Sequence, residues 1–124
     1  MKQELNEIEI NGIKYIKKDS VNEKSEKLDG MEYVIIRTYS AGVHVGYLKE
    51  RNSYEAILVK ARRIWSWRGA AEIYQIAEEG LDADKSNISV VSSRDKLVLG
   101  VIEVHYCTKK SQKIIEGAKE WKKY

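Results

Sequence analysis

The sequence predicts an α+β fold: a mostly antiparallel β-sheet with one packed central helix, a short C-terminal helix and an N-terminal β-hairpin arm. Three observations support this class. Several segments alternate apolar and polar residues, one segment has apolar residues at helical spacing, and an Asn-Gly pair separates two short alternating runs. The 124 residues suffice for one hydrophobic core. We therefore assign residues 1–30 to the hairpin arm with its linker, and residues 31–124 to one α+β domain.

The N-terminal arm is predicted from Asn11-Gly12, a pair that favours the type I′ turn of a two-residue hairpin loop. A two-stranded hairpin is marginal in water, so we expect it to pack on the rest of the domain or on another subunit. Residues 20–30 (SVNEKSEKLDG) are charged and poor in apolar side chains. They predict a mobile linker.

The domain is expected to begin with a second hairpin, formed by residues 32–40 and 43–50 around a two-residue loop, Ala41-Gly42. This register would pair Tyr39 with His44 and Arg37 with Gly46. A third strand follows within residues 54–65. Its alternation predicts one common face, made of Ile57, Val59, Ala61, Arg63 and Trp65.

Helical spacing follows the third strand. We predict that Ser66 caps a helix over residues 68–80 and that Gly80 ends it. Its apolar stripe would consist of Ala70, Ile73, Tyr74, Ala77 and Leu81. Later strands are expected within residues 87–91 and 96–106. Thr108 is expected to cap the last helix, which would extend to about Lys119.

Composition and motifs exclude several classes of protein. The net charge of +3 is low for a dedicated DNA-coating protein, and the single cysteine, Cys107, excludes an internal disulfide. No signal peptide and no apolar run of membrane-spanning length is present, so we expect no membrane association. The histidines show no metal-ligand spacing, and no phosphate-binding or catalytic motif occurs. The sequence therefore predicts a protein that is not an enzyme and needs no cofactor or metal.

The strongest candidate for a binding site is the segment ARRIWSWRGAA, residues 61–71. Guanidinium groups bind phosphate through paired hydrogen bonds, and indole rings offer flat surfaces on which a base can stack. A helix that begins near Gly69 would add free backbone N–H groups. The candidates here are Arg63, Trp65, Trp67, Arg68 and Gly69. In the alternative interpretation, both indoles pack the helix on the sheet and the arginines are solvated.

A second group of candidates comes from the predicted hairpin and from the start of the last helix. If Arg37 lies opposite a glycine, the missing side chain leaves space for a ligand, with Tyr39 and His44 beside it and the turn residues close by. These hairpin candidates are Arg37, Tyr39, Ser40, Gly42 and His44. Thr108 and Lys109 open the last helix and form a further candidate anion site. A purely structural interpretation of these candidates remains open. Arg37 could simply be exposed, and the turn needs glycine for its own geometry.

The runs EYVIIRTYSAGVHVGYL, ARRIWSWRGAAEIYQIAEEG and VIEVHYCTKK resemble segments of the Thoeris anti-defence sponges of bacteriophages. These small proteins bind cyclic ADP-ribose isomers that bacterial TIR-domain enzymes make. The similarity covers roughly residues 31–110. It implies a homo-oligomer, a dimer or larger, in the cytoplasm of the infected bacterial host. It also implies that the protein traps a cyclic ADP-ribose isomer such as glycocyclic ADP-ribose without degrading it, and it admits other cyclic nucleotides as ligands.

Two other functions remain open on the residues alone. A small phage protein that binds single-stranded nucleic acid would use Tyr39, Trp65 and Trp67 to stack bases and arginines to contact phosphates. A structural or interaction module would instead use the tryptophans as a subunit interface, and would bind no small ligand.

Overall fold

The computed structural model describes residues 7–10, 13–16 and 23–122. Strands β1 (Glu7–Ile10) and β2 (Ile13–Ile16) form an antiparallel pair in which Ile10 faces Ile13. The predicted Asn11-Gly12 turn lies outside the described residues. The remaining elements form an antiparallel sheet with two helices, which confirms the predicted α+β class.

Six strands form the main sheet, and every pairing in it is antiparallel. The strands are β3 (Tyr33–Thr38), β4 (Val43–Arg51), β5 (Glu55–Ser66), β6 (Asn87–Ile88), β7 (Lys96–Leu99) and β8 (Val101–Tyr106). The order is β6-β5-β4-β3-β8, and β7 pairs with the first half of β5. Helix α1 (Ile73–Glu79) lies between β5 and β6, and helix α2 (Lys109–Glu116) follows β8.

Gly100 alone connects β7 to β8. Strand β7 pairs with β5 and strand β8 pairs with β3, and β4 lies between β5 and β3. The φ of Gly100, 73°, lies in the left-handed region that glycine adopts without a steric penalty. The sheet therefore curls back on itself around a small apolar cluster. That cluster contains Val34, Ile36, Ala56, Leu58, Ala61, Val98 and Val101.

The opposite face of the sheet carries both helices and the larger core. Ile76 and Ala77 of α1, and Ile115 of α2, pack there against the sheet. The sheet contributes Tyr33, Ile35, Val45, Tyr47, Ile64 and Ile88. We call this side the helix face. Among the described residues, no helix has the length and apolar character needed to cross a membrane.

A bulge in β5 changes which side chains share a face. Lys60 has a φ of 54°, and the pairing with β4 shifts between Val59 and Arg62. Val59, Arg62 and Ile64 therefore lie on the helix face, whereas Ala61, Arg63 and Trp65 lie on the other. The predicted common face of β5 is wrong on the N-terminal side of Lys60, because an extra residue in a strand inverts the alternation.

The register predicted for β3 and β4 is also wrong. Residues 39–42 form a four-residue loop, and Thr38 Oγ1 closes it by donating to Gly42 O (2.8 Å) and accepting from Ala41 N (2.7 Å). Arg37 consequently pairs with Val43 and not with Gly46. Gly46 has a packing role, since a Cβ there would lie 3.0 Å from Val59 O.

The central helix begins later than predicted, at Ile73, and its N-cap is Glu72. Ser66 is the last residue of β5, and its hydroxyl accepts a hydrogen bond from Asn87, so it caps no helix. Gly80 ends the helix, as predicted. Tyr74, predicted within the apolar stripe, is 57% exposed, and Ile76 takes the buried position.

Residues 23–30, which the sequence predicts to be part of a mobile linker, are hydrogen-bonded to the domain. Ser25 N donates to Cys107 O (3.2 Å), and Lys109 N donates to Glu23 O (2.6 Å). Gln112 of α2 exchanges two side-chain hydrogen bonds with the backbone of Glu26. This segment therefore belongs structurally with the domain.

Candidate functional site

The candidate residues predicted from the sequence lie on both faces of the sheet. Arg37 pairs with Val43, and this pair lies on the helix face. His44 pairs with Arg63 on the opposite face, beside Ile36 of the smaller apolar cluster. The two groups are therefore separate candidate sites.

The first site, which we call the Arg63 patch, consists of Gly42, His44, Arg63, Trp65, Lys96 and Trp121. The Arg63 guanidinium packs directly on Gly42, where a Cβ would lie 2.7 Å from Nη2. Its Cζ lies 3.5 Å from the centroid of the Trp65 ring, a cation–π contact. Within residues 23–122 the buried Nε of Arg63 has no hydrogen-bond partner and its guanidinium makes no ion pair.

Lys96 adds a second cation to this region, and His44 lies against it. Lys96 Nζ lies 3.3 Å from His44 Nδ1, and His44 Nε2 lies 2.9 Å from Ala41 O. The geometry fits a neutral imidazole that donates from Nε2 and accepts at Nδ1. Burial and the nearby Arg63 lower the pKa of Lys96, and burial together with Lys96 and Arg63 lowers the pKa of His44. No carboxylate within residues 23–122 forms an ion pair with Lys96 or with Arg63, so both cations lack a described counter-charge.

Two exposed indoles border the cations. Trp65 is 51% exposed and Trp121 is 49% exposed, and their ring centroids lie 6.2 Å apart at an interplanar angle of 57°. The backbone N–H of Trp121 donates to Ile88 O of β6 (2.8 Å), which holds the C-terminal segment against the sheet. The tilted pair leaves ring surface available for a flat ligand.

The second site is a cleft of about 330 Å³ on the helix face, between β8 and the start of α1. We call it the Glu103 cleft, defined by Arg37, Trp67, Glu72, Tyr74, Glu103 and His105. Glu103 accepts from Arg37 Nη1 (3.2 Å) and interacts with His105 Nε2 (3.0 Å). The His105 hydrogen bond, with Arg37 nearby, lowers the pKa of Glu103.

A profile of protein families matches residues 31–115 to a family described as a domain of unknown function, DUF6948. The chain belongs to the DUF6948 family. No curated protein and no solved structure matches it. The matched range contains both candidate sites of this DUF6948 protein except Trp121, which lies beyond it.

Six other predicted residues of the DUF6948 protein lie outside both sites, four of them near the two helices and two in the loop after β3. Arg68 and Gly69 precede the helix in a shallow depression with Asp82 and Lys85, so the predicted helix N-terminus is absent there. Thr108 caps α2 as predicted, and it also donates to Glu78 O (2.7 Å). Lys109 lies within 4 Å of the carboxylates of Glu23 and Glu26. Among the described residues, both side chains therefore already have partners within the fold.

The loop candidates differ in exposure. Tyr39 is 85% exposed, and its backbone N–H donates to Gly100 O (2.8 Å). Ser40 is exposed at the tip of the same loop, whereas Gly42 contacts Arg63. Only Gly42 of these three is part of the Arg63 patch.

Sequence reasoning missed Lys96 and Trp121 in the Arg63 patch, and four residues of the Glu103 cleft. Lys96 is far from Arg63 along the chain, and only the pairing of β7 with β5 brings the two together. Trp121 lies in a basic segment whose composition is typical of a solvated tail. The indole itself was the sequence signal that could have marked this segment as part of a binding surface. The cleft residues Glu72, Tyr74, Glu103 and His105 belong to no motif.

The DUF6948 protein shows no geometry for metal or thiol chemistry among its described residues. No group of three or more His, Cys, Asp or Glu side chains within residues 23–122 could hold a metal ion. Cys107 is buried, and burial raises the pKa of its thiol to about 12. A thiol with that pKa is a poor nucleophile at neutral pH.

Proposed function

We propose that the protein binds and sequesters a TIR-derived cyclic ADP-ribose signal at the Arg63 patch, and so prevents activation of the Thoeris effector. The observation that carries this proposal is the pair of partly buried cations, Arg63 and Lys96, which have no described counter-ion and lie beside two exposed indoles. The resemblance to phage anti-defence sponges supplies the identity of the ligand.

The chemistry of the patch matches the parts of such a ligand. The pyrophosphate would accept hydrogen bonds from Arg63 and Lys96, and the adenine would stack on Trp65 or Trp121. Charge-assisted hydrogen bonds contribute about 1.5–3 kcal/mol each, and base stacking adds about 1–3 kcal/mol. Capture at nanomolar affinity requires about −12 kcal/mol. Two phosphate contacts and one stacked base therefore supply much, but not all, of this affinity.

A homo-oligomer would supply the remainder by enclosing the ligand. Trp65 and Trp121 are each about half exposed in the single chain, so the ligand would keep one side in water. A second subunit placed over the patch would exclude that water and strengthen the phosphate contacts. We therefore propose that the complete binding site forms between subunits of a dimer or a larger assembly.

Capture without degradation is part of the same proposal. Arg63, Lys96 and the indoles are hydrogen-bond donors and flat surfaces, which bind a diphosphate equally well before and after a bond breaks. After hours of incubation and then denaturation, the ligand should return intact by liquid chromatography. Linear ADP-ribose that accumulates with time above a protein-free control would contradict sequestration.

The decisive experiment is calorimetry with cyclic ADP-ribose isomers, including glycocyclic ADP-ribose, on wild-type protein and two variants. Arg63→Gln and Lys96→Gln should each weaken binding by about 2 kcal/mol, as expected for a charge-assisted bond lost in a partly buried site. Arg51→Gln is the matched control, because Arg51 is an exposed arginine at the far end of β4. Equal affinity in all four proteins would exclude the Arg63 patch.

Single-stranded nucleic acid is the competing ligand, and the exposed Trp65–Trp121 pair favours testing it. Calorimetry with single-stranded DNA of increasing length separates the two functions. Affinity that rises with length and falls steeply with salt would establish the nucleic-acid function and overturn the sponge proposal.

A further inference from the structure

We propose that the Glu103 cleft is a second binding site, which takes a flat organic cation about the size of a nucleobase with a short substituent. The cleft lies on the helix face of the sheet, whereas the Arg63 patch lies on the opposite face. Its volume of about 330 Å³ is at the lower end of the range for small-molecule sites. The inference concerns a different ligand from the proposed nucleotide.

The charges in the cleft favour a cation. Arg37 and Glu103 are already paired at 3.2 Å, so together they contribute no net charge. Glu72, the N-cap residue of α1, makes no side-chain hydrogen bond or ion pair with any residue from 23 to 122. One carboxylate in the cleft is therefore uncompensated, which opposes a phosphate and attracts a positive group.

The aromatic walls favour a flat ligand. The indole N–H of Trp67 donates to Ala70 O at 3.1 Å, so the ring presents only its carbon surface to the cleft. Tyr74 is 57% exposed, and its ring lies edge-on to the His105 ring at a centroid distance of 6.3 Å. Aromatic faces beside a carboxylate form the arrangement that binds organic cations through cation–π contacts.

Arg37 has opposite roles in the two possible interpretations of the cleft. As an anion ligand, which is the prediction from the sequence, it would hold a phosphate. In the cation site it competes with the ligand for Glu103, because its guanidinium occupies one carboxylate oxygen. Removal of Arg37 therefore discriminates between the interpretations by the sign of the effect.

The test uses three probes: the cation of nicotinamide methylated on its ring nitrogen, neutral nicotinamide of nearly the same shape, and inorganic phosphate. Binding to the full-length protein is followed by amide chemical shifts and by tryptophan fluorescence. We expect the cation to bind and shift the amides around Trp67, and neutral nicotinamide to bind at least threefold more weakly. Phosphate should leave these amides unchanged.

Two variants test the charge argument. Glu72→Gln should weaken binding of the cation about three- to fivefold, and Arg37→Gln should tighten it by a similar factor, as expected for partly exposed charges. Glu50→Gln is the control, since Glu50 is exposed on β4 outside the cleft. Far-ultraviolet circular dichroism confirms that each variant is folded.

Three outcomes would overturn this inference: equal binding of cation and neutral probe, weaker binding in Arg37→Gln, or phosphate binding at Trp67. Arg63→Gln should leave the affinity for the cation unchanged, because Arg63 faces the other side of the sheet. Loss of nucleotide binding with retained cation binding, or the reverse, therefore shows which of the two proposals fails.

Discussion

Arg62 is a nearly fully buried cation that is 2% exposed and binds backbone carbonyls instead of a carboxylate. It donates to Ile115 O (2.6 Å) and Ala118 O (3.0 Å) at the C-terminal end of α2, and to Ser89 O (2.8 Å) after β6. The last carbonyls of a helix lack intrahelical partners and carry partial negative charge. Arg62 adds hydrogen bonds to the carbonyls at this end of α2 and holds the segment that bears Trp121.

Replacing Arg62 by lysine should destabilise the protein by about 2–3 kcal/mol, because one ammonium cannot replace the hydrogen bonds that the guanidinium makes to several separate carbonyls. Urea denaturation followed by circular dichroism measures the free energy of unfolding. The control, Arg51→Lys, changes an exposed arginine and should alter this free energy by less than about 0.5 kcal/mol. A similar small effect of Arg62→Lys would contradict the role assigned to Arg62.

His44 should make stability depend on pH. Burial lowers its pKa, as do Lys96 and Arg63, so the unfolded chain takes up a proton that the folded protein does not. Its contribution is therefore complete above the unfolded pKa of about 6.5 and is lost as the pH falls through the lower folded pKa. The free energy of unfolding should decrease from about pH 7 to about pH 5 more steeply in wild type than in His44→Gln. Parallel curves would refute this linkage.

Helix α2 joins three parts of the fold. Its N-cap Thr108 accepts from Ser111 N (3.1 Å) and donates to Glu78 O near the end of α1. Gln112 contacts the Glu26 backbone, and it also donates to the Tyr47 hydroxyl (3.0 Å), which in turn donates to Glu116. The helix therefore connects α1, the sheet and residues 23–30.

Thr108→Ala should cost about 1–2 kcal/mol of unfolding free energy, the range for losing an N-cap hydroxyl. Thr108→Ser retains that hydroxyl and should recover most of the loss. Thermal unfolding measured by calorimetry compares the three proteins. Because the hydroxyl is occupied within the fold, neither variant should change the affinity for the proposed nucleotide ligand, and a selective loss of affinity in Thr108→Ala would instead assign Thr108 to that ligand.

Apolar alternation and capping residues were enough to predict the fold class, Thr108 as a cap and Gly80 as a helix end. The register of β3 and β4 could not be predicted, because it depends on the hydrogen bonds of Thr38 inside the loop. The bulge at Lys60 was equally hidden, since any residue can be the extra one. The local sequence pattern therefore predicted which segments form strands and helices. The register between strands depends on loop hydrogen bonds and on a bulge that the pattern does not show.

The site predicted from the sequence grouped residues that are close along the chain. Each site in the structure instead groups residues from segments that are distant in sequence and meet on one face of the sheet. Arg63 and Trp65 were identified correctly as neighbours on one face. Arg37 was assigned to the face of His44 because the register was displaced by three residues, an odd number that exchanges the two faces. Lys96 and Trp121 reach the Arg63 patch only through pairing of distant segments.

The arm should control assembly. The β1–β2 hairpin is too small to be stable alone, and we expect it to pack on a neighbouring subunit. Deletion of residues 1–22 preserves residues 23–30, which pack against α2, and should lower the mass measured by light scattering without lowering the melting temperature of the domain. An unchanged mass would show that assembly depends on another surface.

The antiparallel bridge between Lys24 and Thr108 has a consequence for biosynthesis. It joins segments more than eighty residues apart. Strand β3 likewise cannot complete its pairing until β8 has been synthesised, and the larger core is incomplete without Ile115 of α2. When only β3 to β5 have emerged from the ribosome, the nascent chain therefore still exposes Tyr33 and Ile35. Folding must follow translation of α2, and the high sequence separation of these contacts slows it. A cell that makes this protein would therefore obtain the folded chain only after a delay set by folding as well as by synthesis.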